Sequence, residues 1–168
     1  LTRLQPQQAQ SYACDEWNAH FFVNDLQEPY VTGGEAFPWV GRTRLVGGRT
    51  NVWGRQSYRF SDLDFKAASH DGVGVDWPIG YADLEPYYTE AEHLYQVHGE
   101  RGVDPTDPWA SAPYRFPSIS HEPRIQRLHD DLSRAGLKPF HVPVGVMLNE
   151  AAPHASPCIR CNTCDGYP

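Results

Sequence analysis

Proline and glycine interrupt this chain so often that few long helices or strands can form. Its 168 residues include 15 prolines and 14 glycines, and both residue types break regular backbone structure. Five of the prolines fall within residues 101–123, where we expect a long irregular excursion. The chain also lacks a regular β-α-β alternation of its own. The sequence therefore predicts a loop-rich fold of the α/β class, in which α and β elements are mixed (α+β).

Two segments have the apolar periodicity of helices. The first begins near Tyr81, carries Pro86 in its first turn and ends by Gly99. The second has Ser120 as its expected N-cap and Gly136 at its end. We expect each helix to carry an apolar stripe along one face. The stripes consist of Leu84, Tyr87, Tyr88, Ala91, Leu94, Tyr95 and His98 in the first helix and of Ile125, Leu128, Leu132 and Ala135 in the second.

Shorter segments also carry local signals. Residues 13–26 have aromatic side chains at helical spacing and predict a short helix, whereas residues 37–46 predict an extended chain. Residues 61–65 have the pattern of a helix cap followed by a short helical turn. Alternating apolar residues over 140–148 predict a strand. These segments add short elements between long loops.

The charge balance excludes some classes of function. The chain has 14 Lys and Arg against 21 Asp and Glu, a formal charge of −7, and no basic run, so we expect no nucleic-acid binding. It contains no apolar run of about 18 residues, so we expect no membrane span in this segment. The chain begins with Leu1 and ends within a cysteine-rich segment. We therefore expect it to be part of a longer protein, whose localisation cannot be read from these residues.

Residues 44–55, the double-glycine segment, carry the clearest binding signal. Two glycines, Gly47 and Gly48, follow an extended apolar stretch, and such a pair lets a ligand approach the backbone amides closely. Three arginines in the segment add positive charge for an anion, and Trp53 can stack on a flat ring. A tight turn with solvated arginines explains the same residues and remains the alternative interpretation.

Three cysteines near the end of the sequence form a second candidate site. Cys158, Cys161 and Cys164 have a C-x2-C-x2-C spacing that lets thiolates converge on one soft metal ion. His154 would complete a zinc site of three cysteines and one histidine, and an iron–sulfur cluster is a second option. Structural or disulfide-bonded cysteines, for which Cys14 is the one other partner in the sequence, are the third. All three interpretations stay open.

The eight histidines are scattered through the sequence. His93 and His98 lie five residues apart on the first predicted helix, so they do not share one face. We therefore interpret each histidine as an ordinary surface or core residue rather than as a ligand. The sequence contains no Gly-x-Ser-x-Gly segment that would indicate a Ser/His/Asp arrangement.

The double-glycine segment and the residues after it resemble a known enzyme family. Residues 44–54 read Arg-Leu-Val-Gly-Gly-Arg-Thr-Asn-Val-Trp-Gly, and the likeness continues through residues 55–65, 71–79 and 81–88. Over these segments the chain is similar to the glucose–methanol–choline (GMC) family of FAD-dependent oxidoreductases, which oxidise alcohol groups, often on sugars. The cysteine-rich end, residues 158–168, resembles a bacterial branch of this family that is near the sugar and gluconate dehydrogenases.

The resemblance implies a division of the chain and a cofactor. Residues 1–80 would belong to a Rossmann-like FAD-binding domain, and residues 81–168 would lead into the substrate domain of the family. The residues that would contact FAD are Val46, Gly47, Gly48, Thr50, Asn51, Trp53 and Gly54. Because Val52 stands where covalent members of the family carry a histidine, the resemblance implies non-covalent FAD.

The resemblance also implies a reaction, and it implies that the catalytic residues for this reaction lie outside these 168 residues. The reaction is oxidation of a CH–OH group of an alcohol or sugar by hydride transfer to flavin, with an unassigned electron acceptor. The family's Gly-x-Gly-x-x-Gly motif and its late catalytic histidine are not among these residues. We therefore assign no catalytic residue and expect the isolated chain to be inactive. The competing hypothesis is a small zinc-binding, iron–sulfur or interaction module organised by Cys158, Cys161 and Cys164.

Overall fold

The computed structural model describes residues 3–160 and divides them into two compact units, residues 3–54 and residues 55–160. Among the described residues, the regular structure of the first unit consists of 3-10 turns, and that of the second consists mainly of α-helices and two short strands. The fold therefore mixes helices with a small antiparallel sheet and much loop, as predicted. The assignment of residues 1–80 to a flavin-binding part and 81–168 to a substrate part stays a prediction.

Polar side chains organise the backbone of the first unit. Gln8 is fully buried, and its side-chain N–H groups donate to Asp25 Oδ1 at 2.8 Å and to the Trp39 carbonyl at 3.0 Å. Its side-chain oxygen accepts from the backbone N–H of Arg42 at 2.7 Å. Such bonds satisfy loop backbone groups that lack a helical or strand partner. A small apolar cluster accompanies them and contains Ala13, Cys14 and Phe22.

The helix predicted within residues 13–26 is wrong, because the structure forms only the 3-10 turn Ala19–Phe21 there. Two polar side chains explain the difference. The Asn18 side-chain oxygen accepts from the Asp15 amide at 2.8 Å, and its Nδ2 donates to the Ala13 carbonyl at 2.8 Å. Side chains of this type offer the backbone a local alternative to helical hydrogen bonds.

Helices and a two-stranded antiparallel sheet make up the second unit. The elements are α1 (Asp62–Phe65), α2 (Ala67–Asp71), α3 (Tyr81–Leu94), β1 (Val97–His98), α4 (Pro123–Arg134) and β2 (Val144–Gly145). Val97 pairs with Gly145, and His98 pairs with Val144. The described stretch between β1 and α4 contains no helix or strand. The irregular excursion predicted from its prolines is therefore confirmed.

The segments predicted to be extended form less sheet than expected. Residues 140–148 contribute only β2, and residues 37–46 contribute one isolated bridge, between Thr43 and Phe22. Alternation of apolar residues indicates which side chains face a core, but it does not supply a partner strand.

The short helix predicted after a cap is confirmed as α1. The backbone amide of Ser61 donates to the Asp64 carboxylate at 2.6 Å, and the Asp64 amide donates to the Ser61 carbonyl at 3.0 Å. The first bond satisfies the amide of the N-cap residue, and the second satisfies one of the first amides of the helix. Phe65 ends α1 and is 2% exposed. Its ring packs edge-on against Phe60 and Trp77, with centroid distances of 6.1 and 6.2 Å.

Helix α3 lies where the sequence predicts it but buries a different face. Tyr81, Glu85 and Glu92 are 1%, 3% and 6% exposed, whereas Leu94 of the predicted stripe is 75% exposed. The buried face of α3 is therefore formed by these three polar side chains and not by the apolar stripe. The two carboxylates are buried because an arginine from outside the helix pairs with them. The helix also ends earlier than predicted, because the chain turns into β1.

Helix α4 exposes its apolar stripe. Its N-cap is Glu122 rather than the predicted Ser120, whose hydroxyl donates to Glu150 instead. No residue of α4 is buried, and Leu128 of the predicted apolar stripe is 52% exposed. Gly136, with φ of +85°, follows the helix end as predicted. Of the helices that the structure describes, none is both long and apolar enough to cross a membrane.

Candidate functional site

The double-glycine segment, residues 44–55, contains a tight left-handed turn. Gly47 and Gly48 have φ of +91° and +54°, in the region that favours glycine. The Gly48 amide donates to the Leu45 carbonyl at 2.9 Å, and the chain continues as the 3-10 turn Gly48–Val52. The structure thus shows the turn that both interpretations of the sequence share.

Asn51 closes this turn through its side-chain amide. Its Nδ2 donates to the carbonyls of Val46 at 2.9 Å and Gly48 at 3.0 Å. A Cβ atom added to Gly47 would lie 2.7 Å from the same nitrogen. A side chain at position 47 would therefore displace Asn51 and open the turn.

The outer side of the turn is accessible. Val46 is fully exposed, and apart from the adjoining backbone no heavy atom of the described structure lies within 4 Å of a Cβ built on Gly48. A flat ligand can therefore reach this backbone without a steric barrier. Arg44 forms an ion pair with Glu28, which neutralises part of the positive charge that the sequence provides here.

A cavity of about 240 Å³ lies beside the second half of the segment. Arg49, Val52, Trp53 and Gly54 line it, together with earlier residues of the same unit. Ligand pockets usually measure about 300–1,000 Å³, so this cavity has room for one part of a dinucleotide. Of the predicted contacts, the structure brings Trp53 and Gly54 to this cavity. The other predicted contacts are not in its lining, and they are Val46, Gly47, Gly48, Thr50 and Asn51.

The described residues cover only part of the cysteine cluster. Cys158 is a half-buried free thiol, and its amide donates to the Met147 carbonyl at 3.0 Å. Cys14 is also free, and burial raises the pKa of its thiol. A disulfide between these two residues is therefore not formed. Cys161 and Cys164 lie outside the described residues, and the metal site built on the three cysteines stays a prediction.

The sequence analysis missed a buried charged network in the second unit. The side chain of Arg59 has no exposed surface, and its Nε and Nη2 donate to the two oxygens of Glu92, at 2.7 Å each. Its Nη1 donates to the Tyr81 hydroxyl at 2.8 Å and to Glu85 at 3.1 Å, and Nη2 also donates to Thr89 at 3.0 Å. All four partners lie on one face of α3. A search for polar as well as apolar helical stripes would have found them.

Arg101 connects the proline-rich excursion to the same network. Its guanidinium donates to Glu92 at 2.6 Å, to Asp107 at 3.0 Å and to the Tyr114 hydroxyl at 2.8 Å. The guanidinium carbon lies 3.7 Å from the centroid of the Tyr114 ring. Burial raises the pKa of Tyr114 to about 12, so its hydroxyl stays protonated at neutral pH. Charge-assisted hydrogen bonds thus hold a loop that has no secondary structure of its own.

Hydrogen bonds set the charges of this network. The backbone amide and hydroxyl of Ser111 donate to Glu85 at 2.8 and 2.9 Å. With further bonds from Thr89 and Arg59, they lower the pKa of Glu85 to about 2. Burial by itself lowers the pKa of Arg59, but its bonds to Glu92, Tyr81 and Glu85 raise it by more. Both groups are therefore charged at neutral pH, and they pair with each other inside the fold.

Replacing Glu85 by glutamine should make the free energy of unfolding less dependent on pH under acidic conditions. The folded-state pKa of about 2 lies below the ordinary value of 4.5. The ionised carboxylate therefore stabilises the fold fully above about pH 4.5, and this contribution is lost as the pH falls toward about 2. Urea unfolding at about pH 6 and about pH 3 measures this difference. Between these two pH values the free energy of unfolding should fall less in Glu85→Gln than in the wild type.

The exposed Glu90 of α3 gives the control, since Glu90→Gln should keep the wild-type pH dependence. Equal pH dependence in all three proteins would contradict the role of Glu85.

Comparison with known proteins identifies relatives of this chain. No protein-family profile matches it. The fructose dehydrogenase large subunit of Gluconobacter japonicus is 30% identical over 143 aligned positions, covering 66% of this chain and 26% of the relative. The 6'''-hydroxyparomomycin C oxidase of Streptomyces lividus is 32% identical, and the alignment covers 77% of this chain and 23% of the relative. The 2-methyl-1,2-propanediol dehydrogenase of Mycolicibacterium austroafricanum is 32% identical, and the alignment covers 58% of this chain and 17% of the relative.

These three relatives are dehydrogenases and oxidases by name, so each of them is an oxidoreductase. They are oxidoreductases of the glucose–methanol–choline type, the family that the sequence motifs of this chain resemble. The chain spans between 17% and 26% of the length of these three relatives.

Proposed function

We propose that this chain forms part of an FAD-dependent oxidoreductase that oxidises a CH–OH group of an alcohol or sugar. Support comes from the relatives, because fructose dehydrogenase and 2-methyl-1,2-propanediol dehydrogenase are named for substrates that carry hydroxyl groups. Bound flavin would supply the hydride acceptor for this reaction. The contribution of the chain itself is to bind the cofactor and to orient it.

The exposed double-glycine turn is the observation that carries this proposal. Gly48 is left-handed and has open space where a side chain would stand, so a cofactor can lie directly against the backbone. We assign non-covalent FAD contacts to Val46, Gly47, Gly48, Thr50, Asn51, Trp53 and Gly54. In this assignment Asn51 keeps the turn closed, and the cavity beside Trp53 takes one part of the cofactor.

Arg49 provides positive charge for an anionic cofactor at this cavity. Its Nη2 lies 3.5 Å from the Cβ position of Gly41, and both residues line the cavity. A guanidinium group at that wall favours binding of a phosphate. In this proposal residues 1–80 belong to the flavin-binding part and residues 81–168 lead into the substrate part. No catalytic residue is assigned within the chain.

Replacing Gly48 by alanine in the full-length protein should reduce bound flavin at least about tenfold, the equivalent of ~1.4 kcal/mol. The added methyl group would fill the space that the cofactor approaches. The ratio of flavin absorbance to protein absorbance after purification measures the effect. Gly102→Ala is the matched control, because Gly102 also has a positive φ, +79°, and open space around its Cβ position. Both variants therefore carry backbone strain, but only Gly48→Ala should lose flavin.

Two results would contradict this proposal in different ways. If Gly48→Ala binds as much flavin as the wild type, the turn is not part of the flavin-binding site. Absence of flavin from the wild-type protein would contradict the oxidoreductase proposal itself. Acid precipitation should release the flavin into the supernatant, and flavin that stays with the precipitated polypeptide would disprove non-covalent binding.

A further inference from the structure

Three histidines that are scattered in the sequence meet at helix α4. His121 directly precedes the N-cap residue of the helix, His129 lies within the helix, and His141 lies in the chain that leads to β2. Each ring offers one nitrogen, and these three nitrogens all lie within 4.8 Å of one another. The fold thus brings together side chains that the sequence analysis interpreted as independent.

The three rings form a packed, half-buried group. His121 and His141 stack with centroids 3.8 Å apart and ring planes 11° apart. The His129 ring lies 5.4 Å from the first and 5.9 Å from the second. Metal ions bind the neutral form of an imidazole ring.

His129 has an unsatisfied polar atom at this position. Within residues 3–160, its buried Nδ1 has no hydrogen-bond partner. A buried polar atom without a partner is unfavourable, and coordination of a cation by one of the ring nitrogens would fix the tautomer and orientation of the ring. This observation is independent of the distances between the rings.

We propose that His121, His129 and His141 form a binding site for a divalent transition-metal ion, with Zn²⁺ as the reference ion. Imidazole nitrogens suit zinc, copper, iron and nickel. Tetrahedral Zn–N bonds of about 2.0–2.1 Å place two ligand nitrogens about 3.4 Å apart. From the present limit of 4.8 Å, the nitrogens approach by no more than about 1.4 Å. This approach requires the rings of His121 and His141 to rotate out of their present stacking, because their in-plane nitrogens must converge on the ion.

Three protein ligands leave one tetrahedral position of the ion open. Sites of this kind bind water or another small ligand at the fourth position, whereas purely structural zinc sites use four protein ligands. The histidine site is separate from the cysteine hypothesis, because its three ligands include no thiol. It also does not depend on the flavin assignment.

The test uses full-length protein stripped of metal with a chelator and then titrated with Co²⁺ or Zn²⁺. We expect the visible bands of Co²⁺ bound to nitrogen, without the intense near-ultraviolet band of a thiolate ligand. His129→Gln should weaken the binding of Zn²⁺ by more than about 100-fold, since even residues that only support a ligand contribute about 10–100-fold. His141→Gln is the second variant, and circular dichroism checks that both variants are folded.

The matched control is the exposed His93 of α3, which lies outside the cluster. His93→Gln and Cys158→Ser should both keep the wild-type affinity. The proposal is overturned if His129→Gln and His141→Gln bind Zn²⁺ like the wild type, or if only Cys158→Ser weakens binding. Absence of any binding by the wild-type protein at about millimolar metal would also overturn it, and would mark the cluster as ordinary ring packing. Flavin content of the same samples reports on the proposed function separately.

Discussion

Replacing Arg59 by alanine should lower the free energy of unfolding by about 3–5 kcal/mol. The guanidinium makes five hydrogen bonds to side chains of α3, and its side chain has no exposed surface. Its removal leaves Glu85 and Glu92 buried at 3% and 6% exposure without their main cation. Leaving a buried charge without its partner costs far more than the net value of the ion pair.

Chemical unfolding followed by circular dichroism measures this loss. Arg134→Ala is the matched control, because that side chain is 76% exposed and pairs with Asp131 on the surface, so its removal should cost less than about 1 kcal/mol. Arg59→Lys should also be destabilised, since an ammonium group cannot reproduce the bidentate bond to Glu92. A loss below about 1 kcal/mol in Arg59→Ala would show that the network does not stabilise the fold.

Replacing Phe65 by alanine should have an effect of similar size, about 3–5 kcal/mol. The ring is 2% exposed and packs edge-on against Phe60 and Trp77. Alanine would leave a cavity between these aromatic rings, which adds to the lost transfer free energy of the removed atoms. The backbone bond from the Trp77 amide to the Phe65 carbonyl, at 3.0 Å, does not depend on the side chain. The loss therefore measures the packing of the ring.

Leu63 of the same helix provides the control for Phe65. It is 59% exposed, so Leu63→Ala should change the free energy of unfolding by no more than about 0.5 kcal/mol. The same unfolding experiment, with tryptophan fluorescence as the signal, compares both variants. Equal effects of the two substitutions would mean that α1 does not position Phe65 in a core.

Local signals explain the elements that the sequence predicts correctly. The cap at Ser61 and the glycine at Gly136 act on neighbouring residues only, so they can be read without knowledge of the fold. The buried face of α3 could not be predicted in this way. Burial of Glu92 depends on Arg59, 33 positions away in the sequence, and on Arg101, which both reach its carboxylate. Tertiary contacts of this kind override a hydrophobic pattern.

The same distinction holds for the candidate sites. The turn at Gly47 follows from a glycine pair, which is a local feature. The ion pair of Arg44 with Glu28 depends on contact between distant residues, and the sequence gives no sign of it. The meeting of His121 with His141 likewise needs both ends of α4 to be in place. Residue type predicted the turn, but only the fold reveals these two contacts.

The first unit depends to an unusual degree on the chemistry of one amide group. The Gln8 side chain donates to Asp25 and accepts from the Arg42 backbone while it is completely enclosed. Deamidation would convert this donor into a second carboxylate facing Asp25, and like charges at that distance repel. Deamidation of this one glutamine would then weaken the contacts among three segments of the polypeptide, those around residues 8, 25 and 39–42.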